Sequence, residues 1–342
     1  MIRAMIRRLT RFSLSNALRI AASIAFCASM LPAQADDPEI RVGVLKFGTV
    51  MWELDVIETH ALDRKEGVNL EVVELGSKQA TSVALQGDGT DVIVTDWIWV
   101  SRQRAEGRDY AFVPYSLAVG GLMVDPKAGI GSLSDLAGKK VGVAGGPVDK
   151  SWLLVQALAK TRGLDLATMV EPTFGAPPLL NKLASKGDLP AVLNFWHYNA
   201  RLKANGFEEL VSVSEILPEI GIDRPVPLLG WVFSRRFAEE NADALRAFLR
   251  ASYAAKRLML DSDAEWERLA PKMKAPDAAT ARTLRDAWRA GVPHSFDAED
   301  RQAAARTFDV LAREGGEKLV GSRNTLSPGT FWEGFELPRR VN

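Results

Sequence analysis

Thiol chemistry is nearly absent from this chain: its one cysteine, Cys27, falls in an N-terminal stretch patterned as an export leader. A disulfide, a thiolate metal site and a cysteine nucleophile are thereby excluded from the remainder. Histidine is scarce too. His60, His197 and His294 share no metal-ligand spacing, so zinc is not expected. No Gly-x-Ser-x-Gly elbow occurs, and the glycine-rich segments match neither the dinucleotide nor the phosphate-loop fingerprint. No cofactor is expected and no catalysis. Lys and Arg form no stripe interleaved with aromatics, which argues against nucleic acid as a partner.

The leader is read from Arg3, Arg7, Arg8, Arg11 and Arg19, the apolar residues 20–31, and Pro32-Ala33-Gln34-Ala35. The apolar run is too short for a bilayer core, which needs about 20 helical residues. Ala33 and Ala35 supply the small residues of a cleavage site, so cleavage is expected after Ala35. Lys and Arg total 43, equal to Asp and Glu at 43; five of the basic residues sit in the leader, which has no acid, so the exported part carries −5.

Residues 40–44 read as a strand, followed by Leu54, Ile57, Ala61 and Leu62 at helical spacing up to a stop at Gly67. Residues 69–75 alternate as a second strand, residues 79–86 suit a helix, and residues 91–94 form a short β-branched run. Strands at 111–113 and 120–124 precede a restart of the pattern, with strand 140–144, helix 151–161 and strand 191–195. Strand 228–234 follows, and then helices at 242–260, 264–269, 278–290 and 297–313. An internal echo supports two related halves: Gly87-Asp88 precedes 92–96 and Trp97, and Gly187-Asp188 precedes 191–195 and Trp196.

Gly131-Ser132-Leu133-Ser134-Asp135-Leu136-Ala137-Gly138-Lys139-Lys140-Val141-Gly142-Val143 resembles a stretch of the periplasmic binding proteins that serve nitrate, sulfonate, taurine and thiamine-precursor importers. Weaker matches are Arg41-Val42-Gly43, residues 66–72 and residues 233–241. The resemblance implies an α/β, two-lobed periplasmic-binding-protein fold of type II, each lobe a mostly parallel sheet flanked by helices, joined by two crossover segments. With the leader at 1–35, lobe 1 is expected at 36–119 and 230–342, and lobe 2 at 120–229. The resemblance also implies a periplasmic monomer that captures a small organic solute by hinge closure and delivers it to an inner-membrane ABC permease. Two positions depart from the family pattern: the spacing in Gly87-Asp88-Gly89-Thr90-Asp91, and Pro190 in place of an aspartate. A periplasmic accessory protein with a vestigial cleft, and an exported enzyme on the same fold, are the alternatives.

Ligands of open parallel sheets bind beyond the carboxyl ends of strands. That rule nominates Thr49, Trp52, Lys78, Thr95, Asp96 and Trp97 from the first half, Gly146, Asp149, Ser151, Asn194, Trp196 and His197 from the second, and Trp231 near the returning crossover. Trp97 and Trp196 are the expected clamp, because paired indoles stack on a planar or apolar ligand; the alternative is that such rings pack the core. Gly145-Gly146-Pro147 before a helix start suits an anion, although Asp149 is placed to cap that helix itself. Two carboxylates, Asp96 and Asp149, favour a zwitterionic, cationic or neutral solute, an inference that inward-facing Lys78 and Lys150 would reverse.

Overall fold

The structure, a computed structural model, describes residues 37–338; the expected leader and Cys27 lie outside the described residues. The first part of the chain runs β1 (Glu39–Leu45), α1 (Val50–Thr59), α2 (Leu62–Lys65), β2 (Asn69–Leu75), α3 (Lys78–Gln86), β3 (Val92–Asp96), α4 (Trp97–Ala105) and β4 (Tyr110–Ser116). A crossover at 117–119 leads to β5 (Gly120–Val124), β6 (Lys140–Ala144), α5 (Lys150–Thr161), α6 (Leu166–Met169), β7 (Glu171–Gly175), α7 (Pro177–Ser185), β8 (Ala191–Phe195), α8 (Trp196–Ala204), β9 (Glu208–Ser212) and α9 (Val213–Glu219). The second crossover, through Pro227 and Leu228, returns the chain to β10 (Leu229–Ser234). Five helices follow: α10 (Arg235–Glu240), α11 (Ala242–Asp261), α12 (Asp263–Met273), α13 (Ala278–Ala290) and α14 (Ala298–Val320).

Among the described residues the strands form two five-stranded sheets, ordered β2-β1-β3-β10-β4 and β7-β6-β8-β5-β9. The two orders are the same plan used twice. Within each, one strand is reversed: β10 is antiparallel to β3 and β4, and β5 is antiparallel to β8 and β9, while the remaining pairs are parallel. The sheets are mostly parallel, as expected, with four strands running one way and one reversed, and the topology supplies the reason for the reversal. The parallel strands end toward the gap between the sheets, so a chain arriving from the other sheet starts at that end and must run the opposite way.

Burial follows the sequence pattern. Ile40, Val42, Val92 and Ile93 of the central strands have no exposed surface, as expected for strands covered on both faces. β7 carries Pro172 and lies at a sheet edge, where a missing N–H donor is tolerated. That proline, and the short polar β9, hid both strands from a periodicity reading. The single helix expected from Leu54 to Leu62 is two helices, because Ala61 adopts φ 50°, a left-handed conformation that no glycine announces. The last helix runs past residue 313 to Val320, with a break at Gly316 (φ 57°).

The C-terminal helices touch the sides of both sheets. α11 lies on α1, α13 on α8, and α14 on α4 and α5. Glu53 of α1 and Lys256 of α11 form an ion pair at 0% and 2% exposure. Ser252 Oγ donates to Glu53 Oε1 at 2.5 Å, and the Lys256 ammonium lies 3.6 Å from the Tyr115 ring centroid. Hydrogen bonds and an aromatic face thus replace the water that this pair has lost. No described helix is long and apolar enough to cross a membrane.

Candidate functional site

A cavity of about 160 Å³ lies where the strand ends of the two sheets meet. The β1–α1 turn brings Gly48, Thr49 and Val50, α3 brings Lys78 and Thr81, and β3 brings Val94 and Asp96. From the other side come Asp149, Lys150 and Ser151 at the start of α5, and Phe195, Trp196 and His197 at the β8–α8 junction. Both crossovers contribute wall, through Ala118 and Val119 and through Leu228 and Leu229. About half of these side chains are apolar, and the charged ones are Lys78, Asp96, Asp149 and Lys150.

Each charge has a local origin. Asp96 ends β3 and caps α4, accepting the Trp99 N–H at 2.9 Å. Lys150 Nζ reaches across from the second sheet and donates to Asp96 Oδ2 at 2.9 Å. Burial opposes ionisation of Asp96, but Lys150, Lys78 and the cap outweigh it and hold its pKa below the ordinary value of 3.8. Asp149 caps α5, accepting from Ser151 N at 3.0 Å and Trp152 N at 3.2 Å. Here burial dominates and raises the pKa, against Lys150, Lys78 and both N–H groups. Gly145 makes room for this cap: a Cβ there would stand 2.5 Å from Asp149 Oδ2, at a φ of +86°. Asp149 thus caps this helix start itself, the role that capping preference favoured over an anion site.

Lys78 differs from Lys150. No carboxylate lies within ion-pair distance of it among the described residues, and its ammonium sits 5.7 Å from the Phe195 ring. It keeps solvent access. Even so, the protein crowded around the ammonium and the charge of Lys150 hold its pKa below the usual lysine range, against Asp96 and Asp149. His197 is more strongly shifted: burial, aided by Arg201, lowers its pKa to about 3, so the ring is neutral at ordinary pH. Its Nδ1 is buried without a hydrogen-bond partner.

Seven of the thirteen nominated residues line the cavity: Thr49, Lys78, Asp96, Asp149, Ser151, Trp196 and His197. Trp97 does not. It has no exposed surface, packs against Phe308 and Phe331, and donates its indole N–H to the carbonyl of Pro227 at 3.1 Å. Trp231 is buried as completely, against Phe248 and Tyr115, with its N–H on Ser252 Oγ. Trp52 stands behind the wall, edge-on to Trp196 and to Trp266 at 6.1 Å each. Thr95 is buried in β3. Asn194 spends its amide within its own lobe, donating to Asn181 Oδ1 and Pro177 O and accepting from Phe195 N. Gly146 shapes the loop at φ +87° without lining the cavity. The expected clamp of Trp97 and Trp196 is therefore half formed. Phe195 and the crossover residues Ala118, Val119, Leu228 and Leu229 went unnominated, because an apolar residue next to a strand end carries no mark of facing a cavity rather than the core.

Two solved structures share the architecture. The alkanesulfonate-binding protein SsuA from Xanthomonas axonopodis pv. citri, bound to MOPS, superposes with a TM-score of 0.67 at 18% identity, over 87% of this chain and 99% of that one. The periplasmic aliphatic sulphonate binding protein SsuA from Escherichia coli gives 0.68 at 20%, over 86% and 98%. A DszB mutant in complex with biphenyl-2-sulfinic acid is more distant, at 0.54 and 14%, over 81% and 92%. These likenesses establish the two-lobed periplasmic-binding-protein fold. No curated protein sequence matches the chain. The profile of the NMT1/THI5-like family, by contrast, matches residues 64–265, a span that runs from the second helix to the C-terminal helices and takes in every strand of both sheets except β1, and the chain belongs to that family.

Proposed function

We propose that the chain is the solute receptor of an ABC-type importer, exported to the periplasm with loss of residues 1–35, where it works as a monomer. Lobe 1 comprises 36–119 and 230–342, lobe 2 comprises 120–229, and the crossovers act as the hinge. The observation that carries this reading is the Asp96–Lys150 pair, which bridges the two sheets across a cavity lined from both sides. A bridge of this kind is what a closed jaw leaves when its two rims meet.

The solute is a small organic anion with an apolar body. Asp96 already holds Lys150 and Asp149 already caps α5, so neither demands a cation. Lys78 is the charge left over, beside the apolar walls of Trp196, Phe195 and the crossovers. The sulfonates named for the SsuA proteins, and the sulfinic acid bound to DszB, belong to this chemical class. The reading assigns capture rather than catalysis: His197, the cavity's imidazole, makes no hydrogen bond to a hydroxyl among the described residues.

A thermal-shift panel of alkane- and arylsulfonates, carboxylates and matched amines tests this, since a ligand that binds only the folded state raises the melting temperature by mass action. Anions should raise it in the wild type and much less in Lys78→Met, a difference that amines of the same carbon skeleton should not show. No shift with any anion, together with stable capture of a protein partner, would favour the accessory reading.

A further inference from the structure

Two cavities lie back to back beside the crossovers: the cleft cavity of about 160 Å³ and a larger one of about 670 Å³. Ala118, Val119 and Trp196 line both, so the first crossover and one indole are the partition between them. The larger cavity is otherwise walled by α8, by β9 with the start of α9, by the second crossover at Pro225 and Val226, and by α13. Leu217, Val226 and Ala287 give it apolar surface.

The partition is held in place on both parts. Leu117 N donates to the carbonyl of Gly291 at 2.7 Å, and Ala118 N to Ser116 Oγ at 3.1 Å. Gly291, which follows α13, lets the crossover lie directly on that helix end: a Cβ there would stand 2.5 Å from Ala118 Cβ. Trp196 is set edge-on to Trp52 at 6.1 Å and to His197 at 5.5 Å. Crossover and indole are thus both packed against fixed neighbours, and packed groups resist displacement.

Volume then limits the solute. An apolar cavity of roughly 150 Å³ takes one benzene ring, and the cleft has to hold the anionic head beside Lys78 as well. What remains suits a body of about four carbons. A longer tail meets the partition, while the apolar room it needs lies on the far side. We propose that Trp196, with Val119 and Ala118, is the length gate of the cleft, which admits compact organic anions and turns away long-chain ones. The gate rests on the reading of the cleft as an anion site and adds to it the residues that set the size of the solute.

Calorimetric titration with n-butanesulfonate and n-octanesulfonate tests the gate, read as the ratio of their affinities. A buried methylene is worth about fourfold in affinity, so a cleft without this wall would prefer the octyl compound by about 100-fold or more. The wild type should bind butanesulfonate at least as tightly as octanesulfonate. Trp196→Ala joins the two cavities and should raise the octyl-to-butyl ratio about tenfold or more, and Val119→Ala should raise it less. Adding Ala287→Trp to Trp196→Ala fills the larger cavity, and should return the ratio to the wild-type value without changing the affinity for butanesulfonate. A wild type that prefers octanesulfonate, or a ratio that neither Trp196→Ala nor Val119→Ala moves, would overturn the gate and leave the receptor reading in place. If the wild type bound neither sulfonate, the anion reading of the cleft would fall and the gate with it.

Discussion

The ends of β3 and β8 hold the same position in two sheets of the same plan, and each is followed at once by a tryptophan that opens a helix. Their fates diverge. At β3, Asp96 caps the helix and Trp97 turns into the core, with its N–H on the second crossover. At β8, Phe195 has no side chain that could cap, and Trp196 stands in the cavity wall, edge-on to Trp52 and His197. One strand end is tied to the second crossover and the other faces the cavity. A repeated scaffold therefore gives equivalent positions, and what packs behind them decides the use.

The widest separation between the two ends should appear in stability. Trp97→Ala removes a fully buried indole and its hydrogen bond, and should cost about 3–5 kcal/mol in chemical denaturation, as large-to-small core changes do. Trp196→Ala removes a half-buried ring packed on Trp52 and His197, and should cost less, about 1–2 kcal/mol. Equal losses would erase the distinction.

Asp96→Asn comes next. Asparagine still caps α4, so the cap survives while Lys150 loses its counter-charge, and a drop of about 1–3 kcal/mol is expected. The same group fixes a pH dependence. A carboxyl whose folded pKa is depressed contributes stability that is present above its ordinary value and lost as pH falls through the lower one. The Asp96 contribution should thus disappear below pH 3.8 and beyond, and Asp149, shifted upward, should work in the opposite sense. Carboxyl carbon NMR should show Asp149 titrating at higher pH than Asp96; the reverse order would break the assignment of the two caps.

Smaller still is the binding effect of Trp196. Trp196→Ala should weaken the cleft anion about tenfold, or ~1.4 kcal/mol, by titration, and Trp97→Phe should change affinity less. The smallest expected effect is none: with a pKa of about 3, His197 should show no ring titration by NMR between pH 5 and 8, so it imposes no pH switch on binding.

Local sequence carried most of the fold. The strand at 69–75 and the helix at 278–290 stand where periodicity put them, and Asp149 caps its helix because capping depends on neighbours two and three residues away. The site was legible as far as strand ends go. It failed at Trp97, whose environment is made by Phe308 and Phe331 more than 200 residues on in the sequence, and at the Lys150–Asp96 pair, whose partners lie 54 residues apart. The anion proposed for the cleft departs from the expected charge preference for the same reason. Two carboxylates could be counted in the chain, but that a lysine from the other sheet engages one of them could not.

Lys78 carries the central claim, because it is the cleft charge that no carboxylate answers. Calorimetric titration of wild type and Lys78→Met with one alkanesulfonate and with the uncharged alcohol of the same chain length measures that charge directly. The account predicts that the wild type binds the sulfonate far better than the alcohol, and that Lys78→Met loses about 10- to 100-fold for the sulfonate, as expected for a charge-assisted hydrogen bond worth ~1.5–3 kcal/mol. Sulfonate binding that Lys78→Met leaves unchanged, or a wild type that prefers the alcohol, would contradict it.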